Sequence, residues 1–421
     1  MLDSTLRIVL VGGREFTRHI LHDLVNSSYT VSGVVTPSAK NRSNRVGYVS
    51  MSEVCSTEDI THIKTDNIND NESKKEIQEL EPDVILCCGW TQIISETVLD
   101  IPKKGFFGVH ASSLPKDRGG APVNWQLIKG RDEIGVSLFE FVPEVDHGDI
   151  LKQTAVQIED RDNIATVYDK VTVTTFDLLR EGLSELDGNE TDLTSQSFAN
   201  ATYNPKRKPK DGLIDWTRSP TFQWNWIRAQ TDPYPGAFTF YEGEKVIIWD
   251  ATVRDYQTSS GEPGKILSVE NGEGVLVQTG DGTILIERIE FENSPSMWAD
   301  TATTQYNLSE GAVLGHPDHF PDWLYTGLRD VDGGFQYETN SVCGDSARFH
   351  AVCCSHASPQ PIRIEATLNG QIVSDEEIVV EGWDVMPIEV QPTSGSNTLR
   401  VKFESKDREM VDIRRVKIYA E

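Results

Sequence analysis

Short apolar runs alternate with amphipathic stretches over the first 190 residues of the chain. The apolar runs have the length of buried strands, and the amphipathic stretches place apolar residues at helical spacing. Strands are predicted at 7–11, 30–35, 83–88, 105–110 and 135–142, and helices at 15–25, 73–80, 93–99 and 163–186. Because strands that alternate with helices form parallel sheets covered on both faces, we predict an α/β domain with a mostly parallel sheet over residues 1–190.

The pattern changes after residue 190. Residues 191–212 are polar and are expected to form an exposed linker. Over residues 213–292, a helix followed by short strands with frequent glycines predicts a small β-barrel. Residues 293–333 have no regular pattern and predict an irregular connection. Alternation over residues 334–421, with a hairpin turn at Asn369-Gly370, predicts a β-sandwich.

The charge of the chain is strongly negative. Its 421 residues include 66 Asp and Glu against 39 Lys and Arg, a net charge of −27. This excess disfavours a protein that binds nucleic acid mainly through phosphates, because its long-range field repels polyanions. No stretch is apolar enough to predict a membrane span, and the first residues do not have the pattern of a secretory signal. The six cysteines have no C-x-x-C spacing, which favours reduced thiols and a cytoplasmic location.

Two residues have the character of an acid–base pair. His110 ends a predicted parallel strand, which is where open α/β sheets place their ligands. Asp146 follows another predicted strand and lies in a glycine-containing turn. A histidine paired with a carboxylate suits general acid–base chemistry near neutral pH. From these residues alone, a structural, hydrogen-bonded histidine is an equally good interpretation.

The segment around these two residues resembles the folate-dependent formyltransferase family. The matching positions, in order, are His110, Ser112, Leu114, Pro115, Arg118, Gly119, Pro122, Gly135, Val136, Asp146 and Gly148. A second match is formed by Asp211-Gly212-x-Ile214-Asp215-Trp216 and Arg228-Ala229-x-x-x-Pro233-x-Pro235-Gly236-Ala237. The resemblance covers about residues 5–291. It implies a Rossmann-like catalytic domain followed by a small OB-like barrel domain.

The resemblance implies transfer of a formyl group from 10-formyltetrahydrofolate to a primary amine, without a metal. His110 would then donate a hydrogen bond to the oxyanion of the tetrahedral intermediate or move a proton, and Asp146 would orient and charge the imidazole. The segments that would hold the folate co-substrate include Gln92, Ile93, Ile94, Ser112, Leu114, Pro115, Val142, Pro143, Glu144 and Val145.

The chain departs from the family pattern at Gly108, where the family has an asparagine whose carboxamide donates to the oxyanion. Loss of one such donor costs about 10²–10³ in rate. A backbone N–H near Gly108 or the Asn124 side chain would have to replace it, or activity would be weak. A non-catalytic relative that binds folate or a sugar is therefore one alternative interpretation.

The amine acceptor is predicted from charge and from the last segment. Residues 331–421 carry 15 acidic and 9 basic side chains, so −21 of the net charge belongs to residues 1–330. A β-sandwich with aromatic residues such as Trp383, Phe335 and Tyr337 suggests glycan binding. We therefore expect an amino-sugar nucleotide as the acceptor. Methionyl-tRNA is the alternative, favoured by the basic residues Lys40, Arg42, Arg45 and the basic run at 206–210.

Overall fold

The computed structural model describes residues 6–38, 48–188, 191–204, 206–254, 261–292 and 294–315, together with a set of strands beyond residue 327. The chain divides into two compact units. The first comprises the residues up to Arg118 together with Asp132–Glu159 and Thr166–Ala201. The second comprises Gly119–Arg131, Asp160–Ala165 and the residues from Thr202 onward.

The first unit is built on a seven-stranded sheet. The strands up to residue 157 are β1 (Arg7–Val11), β2 (Thr30–Pro37), β3 (Thr61–Thr65), β4 (Val84–Cys87), β5 (Gly105–His110), β6 (Arg118–Gly119), β7 (Glu133–Glu140) and β8 (Ile150–Gln157). The helices up to residue 186 are α1 (Glu15–Val25), α2 (Ser52–Thr57), α3 (Asn71–Glu79), α4 (Glu96–Leu99), α5 (Pro122–Ile128) and α6 (Ile164–Leu186). The order across the sheet is β3-β2-β1-β4-β5-β7-β8.

The predicted α/β domain with a mostly parallel sheet is confirmed. Strands β1 to β5 pair in parallel, whereas β7 pairs antiparallel with β5, and β8 pairs antiparallel with β7. The central strands are apolar on both faces, because helices cover both sides of a parallel sheet; all four residues of β4 are buried. This core includes Val9, Ile85 and Phe106.

The sequence analysis did not predict β3 and β8. These two strands form the two edges of the sheet. Edge strands are often polar, which limits pairing with other chains, and β8 exposes Gln153, Thr154 and Ala155 in succession. Their sequences therefore lack the apolar runs that identify the central strands.

The second unit contains α5 and an antiparallel sheet with two further helices. Its further elements are β9 (Tyr203–Asn204), α7 (Pro220–Arg228), β10 (Ala237–Tyr241), β11 (Glu244–Arg254), β12 (Ile266–Glu270), β13 (Gly274–Gln278), β14 (Thr283–Phe291), β15 (Met297–Trp298) and α8 (Ala299–Tyr306). Short 3₁₀ helices lie at Phe198–Asn200 and Pro209–Gly212. The order is β10-β11-β14-β13-β12, with β15 paired to β14. The predicted run of short strands after residue 213 is therefore present as an antiparallel sheet.

The last segment forms two further antiparallel sheets. Its strands are β16 (Leu328–Val331), β17 (Gly334–Val342), β18 (Ala347–Ser355), β19 (Gln360–Leu368), β20 (Gln371–Val380), β21 (Trp383–Val390), β22 (Asn397–Ser405) and β23 (Val411–Ala420). One sheet has the order β16-β17-β22-β19-β20, and the other has the order β21-β18-β23. The predicted hairpin joins β19 to β20, and Asn369 has the left-handed φ of 52° that such a turn requires. Among the described residues, no helix is both long and apolar enough to cross a bilayer.

Candidate active site

His110 is the last residue of β5 and is fixed by a backbone carbonyl. Its Nε2 lies 2.8 Å from the carbonyl oxygen of Asp117. A carbonyl oxygen only accepts hydrogen bonds, so Nε2 carries the hydrogen in this arrangement. The residue is 8% exposed. In the neutral imidazole, Nδ1 is therefore the ring nitrogen that carries no hydrogen.

Asp146 faces that second nitrogen. Its Oδ2 lies 3.7 Å from Nδ1 of His110, and both side chains are largely buried. The sequence analysis placed Asp146 at the end of a strand equivalent to β5. However, β7 runs antiparallel to β5, so the carboxyl end of β7 points away from the carboxyl end of β5, where His110 lies. The turn between β7 and β8 carries Asp146 back to His110. A long turn, and not two neighbouring strand ends, thus brings the pair together.

The loop after β5 supplies the carbonyl group that holds His110. Ser112 is fully buried, and its hydroxyl donates to the carbonyl of Lys116 at 2.6 Å. The hydroxyl of Ser137 on β7 donates to the carbonyl of Ser112 at 2.6 Å and accepts from the backbone N–H of Leu114 at 3.2 Å. Ser112 and Leu114 thus fix the loop that ends at Asp117. Sequence reasoning did not identify Ser137 or Asp117, because neither stands out by spacing.

The segment after β4 has one anchored and one exposed side chain. The amide of Gln92 donates to the carbonyl of Asp66 at 2.7 Å and accepts from the N–H of Ile68 at 3.3 Å. Ile94 is buried, whereas Ile93 is 73% exposed. The hydrogen bonds of the Gln92 side chain therefore fix the conformation of this segment. The exposed surface of the segment is apolar at Ile93.

The segment after β7 is mostly accessible. Pro143, Glu144 and Val145 are exposed, whereas Val142 and Pro115 of the neighbouring loop are half-buried. Val145 is 54% exposed and is, like Ile93, one of the few large apolar side chains that the described residues expose. Apart from the carboxylate of Glu144, these positions offer backbone groups and apolar contact.

The turn that carries Asp146 contains groups with shifted titration. Burial and the nearby charge of Asp149 raise the pKa of Glu140 at its start. Burial and the positive charge of Arg118 lower the pKa of His147, against the opposing effect of Glu144. Within the described part of the chain, no group of three or more His, Cys, Asp or Glu residues is arranged to hold a metal ion.

The chain is similar to formyl transferases along most of its length. The formyl transferase family profile matches residues 6–181, and the profile of the formyl transferase C-terminal domain matches residues 206–307. The methionyl-tRNA formyltransferase of Acetivibrio thermocellus is 32% identical over 312 residues, which cover 74% of this chain and 100% of that protein. That of Geobacter sulfurreducens is 33% identical over 312 residues, covering 74% and 97%. This chain belongs to the formyltransferase family.

Solved structures show the same fold at low identity. The sugar 3N-formyltransferase WlaRD, solved with dTDP and 5-N-formyl-THF, has a TM-score of 0.51 and 16% identity, covering 69% of this chain and 99% of that one. HypX from Aquifex aeolicus in complex with tetrahydrofolic acid has a TM-score of 0.50 and 18% identity, covering 79% of this chain. This chain spans 53% of HypX, about half its length.

In this formyltransferase, a phenyl ring fills the space beside Gly108. A Cβ atom built on Gly108 would lie 2.6 Å from Cζ of Phe141 and even closer to its Cε1. The Phe141 ring is stacked on Phe106, with 5.5 Å between centroids, and lies 5.1 Å from Phe139. Because residues two apart on a strand share a face, Gly108 and His110 point to the same side of the sheet. The ring therefore occupies the position where the family's carboxamide would begin.

The two candidate replacement donors, the backbone N–H near Gly108 and the Asn124 side chain, lie where the fold uses their polar groups. Gly108 is paired on both sides in the sheet, with Cys87 and with Phe139. Backbone groups of such a central strand are used by the ladder. Asn124 lies in the second unit, where it is 1% exposed and its Nδ2 donates to the carbonyl of Ala229 at 2.7 Å. We therefore assign the role of oxyanion donor to neither of them.

Proposed function

We propose that this chain transfers the formyl group of 10-formyltetrahydrofolate to the amino group of methionyl-tRNA. The observation that carries the proposal is the similarity over the full length of methionyl-tRNA formyltransferases, at 32% identity for the Acetivibrio thermocellus enzyme. The His110–Asp146 pair supplies the acid–base groups that the reaction needs. The proposal extends to a cytoplasmic location, where charged tRNA is found.

The reaction needs one group that accepts and then returns a proton. The amine attacks the formyl carbon, a C–N bond forms, and the carbonyl electrons move to oxygen to give an oxyanion. Collapse of this intermediate breaks the bond to N10 of the folate, which leaves with a proton. The acceptor nitrogen loses one proton and the folate nitrogen gains one, so the balance is closed by a single acid–base residue.

His110 performs this transfer at Nδ1. The carbonyl of Asp117 keeps the hydrogen on Nε2 and fixes the plane of the ring. The separation of 3.7 Å between Nδ1 and Asp146 is longer than an ordinary hydrogen bond, so a substrate nitrogen can engage Nδ1 without breaking a tight pair. The carboxylate stabilises the imidazolium once the amine proton has been taken up. The same Nδ1–H then serves the oxyanion or the leaving N10.

The folate ring would bind against the segments after β4 and β7. The exposed side chains of Ile93 and Val145 give the apolar surface that a flat aromatic ring covers. The backbone of Gln92, Ile93 and Ile94 and that of residues 142–145 would hydrogen bond to the polar edge of the ring. Ser112, Leu114 and Pro115 shape the loop beside it, and the buried two of these, Ser112 and Leu114, contribute position rather than contact.

The choice of methionyl-tRNA replaces the amino-sugar nucleotide expected from the sequence. That expectation depended on the last segment, which lies beyond the family profile that ends at residue 307. The last segment therefore does not indicate which acceptor binds to the part of the chain that the family profiles match. The basic residues Lys40, Arg42 and Arg45 lie outside the described residues.

The domain boundaries expected from the sequence belong to the same proposal. We assign the catalytic domain to 1–190, the linker to 191–212 and an OB-like barrel domain to 213–292; the two family profiles match residues 6–181 and 206–307. The connection expected at 293–333 contains α8 and the short strands β15 and β16. The two antiparallel sheets formed by the strands from β16 onward would stack as a β-sandwich over residues 334–421. A glycan site there would need Trp383, Phe335 and Tyr337, whose side chains lie outside the described part of the chain.

The acceptor is tested by offering the purified protein 10-formyltetrahydrofolate with either methionyl-tRNA or a panel of amino-sugar nucleotides. Formylmethionyl-tRNA is the expected product, detected by mass after hydrolysis. Formylation of a sugar nucleotide alone would contradict the acceptor but support the reaction class. Folate binding without turnover on any amine would indicate a non-catalytic relative. The His110→Ala variant is the negative control.

A further inference from the structure

Gln196 connects a buried arginine to the turn that carries Asp146. Its Oε1 accepts hydrogen bonds from Arg118 at 2.7 Å from Nη2 and 3.3 Å from Nε. Its Nε2 donates to the carbonyl of Asp146 at 3.0 Å and to the carbonyl of Gly148 at 2.6 Å. One side chain thus uses both ends of its amide, with the arginine on one side and the turn on the other.

The two side chains that form this connection are buried. Arg118 is 0% exposed and Gln196 is 7% exposed. A fully buried guanidinium is costly unless its donors are satisfied, so the acceptor on Gln196 stabilises the arginine. The hydrogen bond from Gln196 to the carbonyl of Gly148 is buried as well, and the one to the carbonyl of Asp146 is partly buried, so competition from water is reduced.

The chain places Gln196 by a backbone bridge. Thr194 and Ile150 exchange two hydrogen bonds, each of 2.8 Å, at the start of β8. Gln196 comes two residues later and therefore lies beside the turn that precedes Ile150. Gly148 closes the same turn against β7, since a Cβ at this position would collide with the carbonyl oxygen of Glu140. These contacts fix the turn where it joins β7 and β8, and Gln196 holds it near Asp146.

Asp146 has a backbone conformation that needs support. Its φ of 59° lies in the left-handed region, which is unfavourable for most residues with a side chain. Such conformations persist when the surroundings determine them. The hydrogen bonds from Gln196 hold the carbonyl of Asp146 itself and that of the glycine two residues on. They fix the backbone from which the carboxylate reaches His110.

We propose that Gln196 is a positioning residue of this formyltransferase, which aims the Asp146 carboxylate at Nδ1 of His110 by tying the turn to buried Arg118. This rests on the proposed function of the His110–Asp146 pair. Gln196 lies beyond the catalytic-domain profile, which ends at residue 181, and it touches no reacting atom in this assignment. It acts through Asp146 alone.

The Gln196→Glu variant tests the donating half of the connection. Glutamate has the same shape and still accepts from Arg118, but it presents an oxygen to the carbonyls of Asp146 and Gly148 and so releases the turn. We expect kcat to fall between about 10- and 100-fold, the effect of a misplacement near 1 Å. Gln78→Glu, the same chemical change on an exposed helical glutamine, is the matched control and should retain the wild-type kcat.

A double variant separates positioning from general structure. If Gln196 acts through Asp146, then Gln196→Glu added to Asp146→Asn lowers kcat by less than about threefold beyond Asp146→Asn alone. Multiplication of the two losses would overturn the proposal, as would an unchanged kcat in Gln196→Glu. Gln196→Met, neutral and similar in size, replaces the glutamate variant if the latter does not fold, and the same outcomes apply.

A measurement without turnover distinguishes failure of this inference from failure of the proposed function. The ¹⁵N resonances of the His110 imidazole report its contact with Asp146 whether or not an acceptor is formylated. We expect the spectrum of Gln196→Glu to move toward that of Asp146→Asn. A spectrum identical to the wild type overturns the positioning role, even if the wild-type enzyme formylates methionyl-tRNA. A shifted spectrum in a chain that formylates no amine supports the positioning role and contradicts the function.

Discussion

Restoring the family's asparagine at Gly108 should damage this protein instead of improving it. In the structure, a Cβ at this position lies 2.6 Å from Cζ of Phe141 and 3.0 Å from the carbonyl oxygen of Cys87, with Cε1 of the ring closer still. Real Cβ atoms do not approach other atoms so closely. The ring cannot simply turn away, because Phe106 and Phe139 pack against it at centroid distances of 5.5 Å and 5.1 Å.

The size of the effect is set by overpacking. Forcing extra atoms into a packed region costs about 1–3 kcal/mol. Gly108→Asn should therefore lower the stability of the first unit by about 2 kcal/mol, which is near the middle of that range. Gly108→Ala should have nearly the same effect, because the collision arises at Cβ; it is the control that has no carboxamide. Phe141→Ala should itself be destabilising, since removal of a ring from a partly buried cluster loses apolar contact.

The assay is a double-mutant cycle. Gly108→Asn, Phe141→Ala and the double variant are compared by urea unfolding and by initial rates of formyl transfer. We expect the double variant to be more stable than the sum of the single losses by about 1–3 kcal/mol, since each change makes room for the other. It should also form product faster than Gly108→Asn. If Gly108→Asn alone is as stable as the wild type and more active, the ring does not fill this space and the reasoning is refuted.

The remaining predictions concern the acid–base pair, a partly buried carboxyl and the linker. His110→Ala and Asp146→Asn should reduce kcat by about 10²–10⁴ with the thermal transition retained, and unchanged rates would remove both from the mechanism. Burial raises the pKa of Glu140, so its folded state favours the proton; stability is present below the unfolded pKa and is lost as pH rises through the folded pKa. Glu140→Gln should therefore raise the melting temperature at pH 8 but not at pH 4, and an equal shift at both would contradict the cause. Arg207→Gln should destabilise the second unit, whereas Lys208→Gln, at an exposed position, should leave melting unchanged and weaken binding of tRNA at low salt.

The linker residue Arg207 has a structural role that its basic neighbours conceal. Its guanidinium lies 4.9 Å from the ring centroid of Trp125 and 4.5 Å from that of Trp226. It also donates to the carbonyl of Asp211 at 3.0 Å and to Gln230 at 2.6 Å. In the sequence it is one of four basic residues within 206–210, and nothing there separates it from the solvated charges. Only the tertiary structure distinguishes it from them.

Periodicity was sufficient for the central elements of the first unit. The predicted strand 7–11 and helix 15–25 have the bounds of β1 and α1. Their apolar residues identify them because the positions that become buried follow the geometry of the strand or helix. The two edge strands escaped because half of their surface is polar. The direction of β7 was not predicted, since an apolar run has the same appearance in parallel and antiparallel pairing. Asp146 was therefore assigned to the site from its place after a strand, whereas the turn that follows β7 brings it to His110.

The candidate site shows a second limit of sequence reasoning. His110 and Asp146 could be found because the family motif contains them. Phe141 and Gln196 could not, since their importance depends on contacts with residues far away along the chain: Phe141 with Gly108, and Gln196 with Arg118. Neither has a titratable side chain or a characteristic spacing. A packing partner and a hydrogen-bond connection become visible only when the backbone is folded.

The glycine at position 108 has a different meaning once its neighbour is known. Taken alone, it indicates the loss of an oxyanion donor and a weak or inactive protein. Together with Phe141 it has another meaning, because the phenyl ring fills the space beside Gly108 and makes that side of the site apolar. In an apolar and poorly hydrated site a single charged donor interacts more strongly with an oxyanion than it does in water. In the proposed mechanism, Nδ1 of His110 is the group that stabilises this charge, and the turn that aims Asp146 at it supports that role.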